Sequence, residues 1–294
     1  LVRYTDGKLE VEPALAKSWD ISSDGTVYTF NLRSGIRFHD GSAFNADAVK
    51  FNFDRMLNKD HPYHNTGPFP LSFFFSAIKS VDVVNKNTVK FTLNEPYAPF
   101  LSNLAYPTGL IVSPAGVKKH GKDFGRNPSG TGAFKFKEWK SNERVVVDKN
   151  SSYWDGKAAS DAVVFRPITD ANTRVAEMLS GGIDMMVEVP PASLSKFGGS
   201  KFSIVEQAGP HVWFLILNAK EGPFANKKVR QAANYAINKQ AIVNDVLEGT
   251  AAIAAGPTPP AFAWAYNNSL QPYPYDPAKA KALIKEAGVE GAKL

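Results

Sequence analysis

From Thr26 to Arg33 the chain alternates side by side. Tyr28, Phe30 and Leu32 fall on one face and Val27, Thr29 and Asn31 on the other, which predicts a half-buried strand. Asp24-Gly25 just before it is a hairpin turn signal. The period then lengthens. Val49, Phe53, Met56 and Leu57 share one face of a helix predicted over 45–57, with Asn45 as its N-cap. Val81–Val84 and Thr88–Leu93 predict a second hairpin around Asn85-Lys86-Asn87.

A Pro- and Gly-containing loop at 127–132 precedes strand-like alternation at 133–137, whose hairpin partner is predicted at 144–148. Residues 170–180 predict a helix capped by Asp170 and stopped by Gly181-Gly182, with Val175, Met178 and Leu179 on one face. A βα alternation is expected from here on. Residues 212–217 form an unbroken apolar run, the pattern of a strand buried on both faces. Helical patterning in two segments spans 227–248, a linker spans 256–260, and Asp276-Pro277 opens a last helix running to Ala287 and stopped by Gly288.

Composition narrows the class. The 294 residues exceed the roughly 100–150 typical of one domain, so two lobes are expected. Hydrophobic residues make up 44% and charged residues 21%, the balance of a folded chain. The formal charge is +6, yet 34 Lys and Arg are interspersed with 28 Asp and Glu, without a basic stripe or a nucleic-acid-binding motif. No nucleic-acid partner is expected. The absence of cysteine removes disulfides, thiolate metal sites and Cys nucleophiles. No apolar stretch approaches the roughly 20 residues of a membrane-spanning helix. Both termini are expected to be cuts, because the chain opens abruptly at Leu1-Val2-Arg3-Tyr4.

Catalytic motifs are weak. Residues 116–123 have the spacing of a phosphate loop but carry Asp123 where a hydroxyl must meet magnesium. Gly130-Thr131-Gly132 leads into a strand rather than a helix N-terminus, unlike a dinucleotide loop. His61 and His64 lack further ligands and Pro62 disfavours a helical His61, so they read as solvated loop histidines. His39-Asp40-Gly41 reads as a turn. No catalytic residue and no cofactor or metal is expected. The informative residues are aromatic: Phe73–Phe75, Tyr106, Tyr153-Trp154, Trp213-Phe214, Trp264 and Tyr266. Most such rings belong to cores, but several of these sit in or beside loops, where rings line ligand clefts.

In order along the chain come Pro13–Trp19, Tyr28–Arg33, Phe38-His39-Asp40-Gly41 and Asn94–Leu101. Gly130–Phe134, Asn150–Trp154, Gly181–Asp184, Pro223-Phe224 and Val229–Ala232 follow. This series resembles the dipeptide and oligopeptide class, family 5, of extracellular solute-binding proteins of ABC importers, over nearly the whole chain. The resemblance implies an α/β, two-lobed periplasmic-binding-protein-like fold with an extra β-rich subdomain. By position, residues 1–128 correspond to that subdomain and the edge of the first lobe, 129–206 to the first lobe, and 207–294 to the crossover strand and the start of an incomplete second lobe.

The implied function is capture of short peptides by hinge closure and delivery to membrane-embedded permease subunits. No enzymatic step is implied; the protein is expected to be a monomer in the periplasm or attached to the cell surface. The same scaffold with a nickel chelate, an oligosaccharide or an opine-like solute is the alternative, because fold does not fix ligand; a peptide hydrolase is the remote one. The resemblance places Phe74 and Tyr106 on the subdomain side of the cleft, Glu188 on the first lobe, and His211, Trp213 and Phe214 on the crossover strand. The family's acidic residue for a peptide α-amino group falls beyond Leu294. This span alone is therefore expected to bind peptide with less than full affinity.

Overall fold

The structure is a computed structural model and describes residues 1–207, 209–263 and 265–291; Trp264 lies outside the described residues. The chain divides into two compact units, Leu1–Pro167 and Ile168–Leu294.

In the first unit a short antiparallel pair, β1 (Val2–Tyr4) and β2 (Val11–Pro13), precedes a four-stranded antiparallel sheet. That sheet comprises β3 (Ala16–Ile21), β4 (Val27–Leu32), β5 (Ile78–Asn85) and β6 (Thr88–Leu93), in the order β3-β4-β6-β5. Its register sets Trp19 opposite Phe30, Phe30 opposite Val89, and Val81 opposite Phe91. Because side chains alternate, Tyr28, Phe30 and Leu32 and then Val89, Phe91 and Leu93 are all buried on one face, as the alternation predicts. The hairpin at Asn85–Asn87 is also where the sequence places it.

Against that face lies α1 (Ala46–Leu57). Its N-cap is Asn45, whose side chain accepts from the Ala48 amide, and it buries Val49, Phe53 and Met56. The core is an aromatic chain. Phe53 meets Phe91 edge-on at 4.9 Å and Phe75 at 5.2 Å, and Phe91 meets Phe30 and Phe100 at 5.6 Å each. Each such ring contributes about 1.5–3 kcal/mol by burial, and each edge-to-face pair about 0.5–1.5 kcal/mol more.

Two further helices, α2 (Phe100–Ala105) and α3 (Pro114–His120), complete this layer. Residues 116–120, part of the phosphate-loop-like spacing, are thus helical, and Gly116 is buried. The second sheet, β7 (Phe134–Lys140), β8 (Arg144–Lys149) and β9 (Ala162–Phe165), is antiparallel and contributes no fully buried side chain. Its leading loop is fastened to the preceding part of the unit through His39 and Ser113, and to the end of β8 through Asn150.

In the second unit, α4 (Ala171–Ser180) begins at Asp170, which accepts from the Thr173 amide, and ends at Gly181 with a left-handed φ of 82°. α5 (Lys227–Ala236) and α6 (Lys239–Ala241), which runs on as a π turn over Ile242–Val246, give the two helical segments foreseen for 227–248. α7 (Pro277–Glu286) has Asp276 as N-cap and Pro277 at its first position. Val229 and Ala232 of α5 and Ala280 of α7 are buried, and Lys228 pairs with Glu286 at 2.9 Å.

One expectation is corrected here. Among the described residues no strand follows Phe165, so the βα alternation foreseen after residue 170 is not formed. Residues 211–218 carry no regular structure, and the apolar run within them is open to solvent. A strand buried on both faces needs a neighbour on each side, and no described strand pairs with this segment.

Candidate functional site

Of the six residues singled out from the sequence, the structure brings one pair together. Phe74 sits in a 3₁₀ turn (Ser72–Phe75) and Tyr106 caps α2, and their rings meet edge-on at 5.5 Å. Asn103 fixes the pair by donating its side-chain amide to the Phe74 carbonyl at 2.9 Å. Phe74 is half-buried while Tyr106 is 43% exposed, so this aromatic corner offers an open ring face and a phenol. Phe73 packs on Phe74 at 4.6 Å and is itself exposed. An arrangement of this kind can stack on a planar or apolar ligand group and donate one hydrogen bond.

The other four lie in the second unit. Glu188 is exposed, and its φ of 60° is left-handed, an uncommon state for a residue other than glycine. His211 is exposed, as are Trp213 at 93% and Phe214 at 73%. Their exposure makes them available for contact and denies them the core role that apolar runs usually have.

His39 and Asp40 form the turn expected of them, with a tighter role than a turn alone. Gly130 donates its amide to His39 Nδ1 at 3.3 Å, so the proton resides on Nε2, which donates to the Gly132 carbonyl at 3.0 Å. Burial lowers the imidazole pKa, aided by Lys135 and opposed by the Gly132 bond and Asp40. For Asp40, the upward pull of burial is outweighed by hydrogen bonds from Ser113, Ser42 and Ser129, and the carboxyl is held below its ordinary range. These bonds fasten the loops at 39–42, 113 and 129–132 together.

His61 and His64 are half-buried rather than fully solvated. His61 Nδ1 accepts from the Tyr63 amide and its ring packs on Phe51 at 5.2 Å, while His64 Nδ1 meets the Arg55 carbonyl at 2.9 Å. Among the described residues no group of three or more His, Asp or Glu is placed to hold a metal ion. No described helix is long and apolar enough to cross a membrane.

A cavity of about 440 Å³ that no sequence pattern foretells lies in the first unit, between α1 and the loops at 67–71 and 107–112. Its lining on α1 consists of Asn52, Phe53, Arg55 and Met56. Only the return of two distant loops makes the Arg55 position an interior one.

The model of bacterial extracellular solute-binding proteins, family 5 Middle, matches residues 10–294. Heme-binding protein A of Haemophilus influenzae is 40% identical over 308 residues, a match covering 98% of this chain and 56% of that protein. Glutathione-binding protein GsiB of Pectobacterium atrosepticum is 40% identical over 287 residues, covering 96% of this chain and 54% of its own length. The solved structure of the ABC transporter-associated periplasmic binding protein DppA from Helicobacter pylori, in complex with peptide STSA, matches with a TM-score of 0.85 at 36% identity. It covers 98% of this chain and 60% of that one. The chain thus spans a little over half the length of these relatives, and its mixed helix and sheet fold is theirs.

Proposed function

This chain belongs to the bacterial extracellular solute-binding proteins of family 5, and on that basis we propose that it is part of the solute-capturing component of an ABC importer for short peptides. The observation that carries the reading is the match over residues 10–294, joined to relatives named for glutathione and for a bound peptide. Capture needs no covalent step; the family consists of binding proteins, and we read this one as a receptor rather than an enzyme.

In this reading Phe74 and Tyr106 form the aromatic wall for a ligand side chain. Glu188 meets a cationic group, and His211, Trp213 and Phe214 flank the peptide backbone. Residues 1–128 serve as the β-rich subdomain with the edge of the first lobe, 129–206 as the first lobe, and 207–294 as the crossover and the start of the second. Ligand preference for the closed form drives closure, and membrane-embedded permease subunits receive the closed complex from the periplasm or cell surface. The working form is a monomer.

Heme-binding protein A favours a second reading, in which this scaffold holds a solute that is not a peptide. Mass spectrometry of the ligand copurified with the full-length protein separates the two. A mixture of short peptides is expected; a single non-peptide species overturns the first reading.

A further inference from the structure

Arg55 is 8% exposed, and its guanidinium carries charge at any physiological pH. Its contacts do not balance that charge. One terminal N–H donates to Thr66 Oγ1 at 2.9 Å, Nε has no hydrogen-bond partner, and no ion pair reaches it among the described residues. The adjacent carboxylate, Asp54, is taken by Lys50 at 3.0 Å. Burial lowers the pKa of Arg55, with no carboxylate acting the other way. A buried cation lacking a counter-charge is costly and is retained in proteins chiefly where an anion meets it.

That cation lines the cavity of about 440 Å³, within the roughly 300–1,000 Å³ of small-molecule sites. The other walls are mainly apolar, among them Met56, Pro68, Leu71 and Ile111. Over the guanidinium lies the ring of Phe69, 5.1 Å from it, on a backbone with φ of 40°. A bulky residue in that region is strained. Close by, burial lowers the pKa of His61, with Asp54 opposing it and Arg55, His64 and Lys118 adding to it.

We propose that this cavity is a binding site for a small amphipathic carboxylate, whose charged end pairs with Arg55 and whose apolar body lies against Met56, Leu71 and Ile111. Phe69 is its cover. The site lies within the first unit and includes none of the six residues assigned to solute capture, so it stands or falls independently of that assignment.

The test is titration of the full-length protein with hexanoate, read by calorimetry and by NMR shifts of the methyl groups of Met56, Leu71 and Ile111. Hexanoate is expected to bind with those methyls shifting, hexanol at least tenfold more weakly, and Arg55→Met to reduce hexanoate affinity at least tenfold. Absence of hexanoate binding, equal binding of hexanol, or shifts confined to other residues overturns the proposal. If Arg55→Met does not fold, the comparison of hexanoate with hexanol on the unaltered protein decides. Peptide affinity, measured in parallel, reports on the capture site alone.

Discussion

His39 donates its Nε2 proton to the Gly132 carbonyl at 3.0 Å, and the same carbonyl accepts the side-chain amide of Asn150 at 3.0 Å. The loop leading into β7 is thus held from two sides of the chain. Because Nδ1 must stay unprotonated to accept from Gly130, acid opposes the arrangement. A folded pKa lowered below the unfolded value of about 6.5 means that the unfolded chain takes the proton first. His39 therefore stabilises fully above that value, and the contribution is lost as pH falls toward the folded pKa. NMR titration is expected to give His39 a midpoint below about 6.5, with faster exchange of the Gly130 amide in acid. A midpoint above that value contradicts the tautomer.

Phe91 touches Phe30, Phe53 and Phe100 at once. Replacing it with alanine removes the centre of the aromatic chain and is expected to cost about 3–5 kcal/mol, measured by denaturant unfolding. A loss under about 1 kcal/mol would place the core elsewhere.

Gly109 is required for a steric reason. A Cβ there would collide with the Leu104 carbonyl oxygen and stand 2.9 Å from its carbon, and backbone cannot swing aside. Gly109→Ala is expected to destabilise by about 1–3 kcal/mol and to shift the Tyr106 resonances, since the Gly109 amide donates to the Tyr106 carbonyl at 2.8 Å.

Tyr106 is half free of the fold, so trimming it tests binding more than stability. In the full-length protein Tyr106→Ala is expected to weaken dipeptide binding by more than about 1 kcal/mol in calorimetric titration while the unfolding midpoint moves little. Unchanged affinity removes Tyr106 from the ligand wall.

The cap of α1 is the simplest case. Asn45→Ala deletes the acceptor for the Ala48 amide and is expected to cost about 1 kcal/mol, with Asn45→Asp retaining most of the stability.

The features legible from residue order alone are local or periodic. The faces of β4 and β6, the caps Asn45, Asp170 and Asp276, and the stop at Gly181 each depend on residues within one or two turns of each other, so the pattern contains the cause. The ordered motifs likewise carried the family. Tertiary structure decided where partners come from far away. The run at 212–217 records a need for neighbours on both faces, and hydrophobicity cannot supply them; the structure leaves Trp213 and Phe214 exposed. Phe74 meets Tyr106, 32 positions further along the chain, only because Asn103 and the turn at 72–75 bring α2 back to it. Arg55 is not singled out by any sequence pattern. Two loops returning over α1 make it a buried cation, because burial is a property of what surrounds a residue and not of the residue itself.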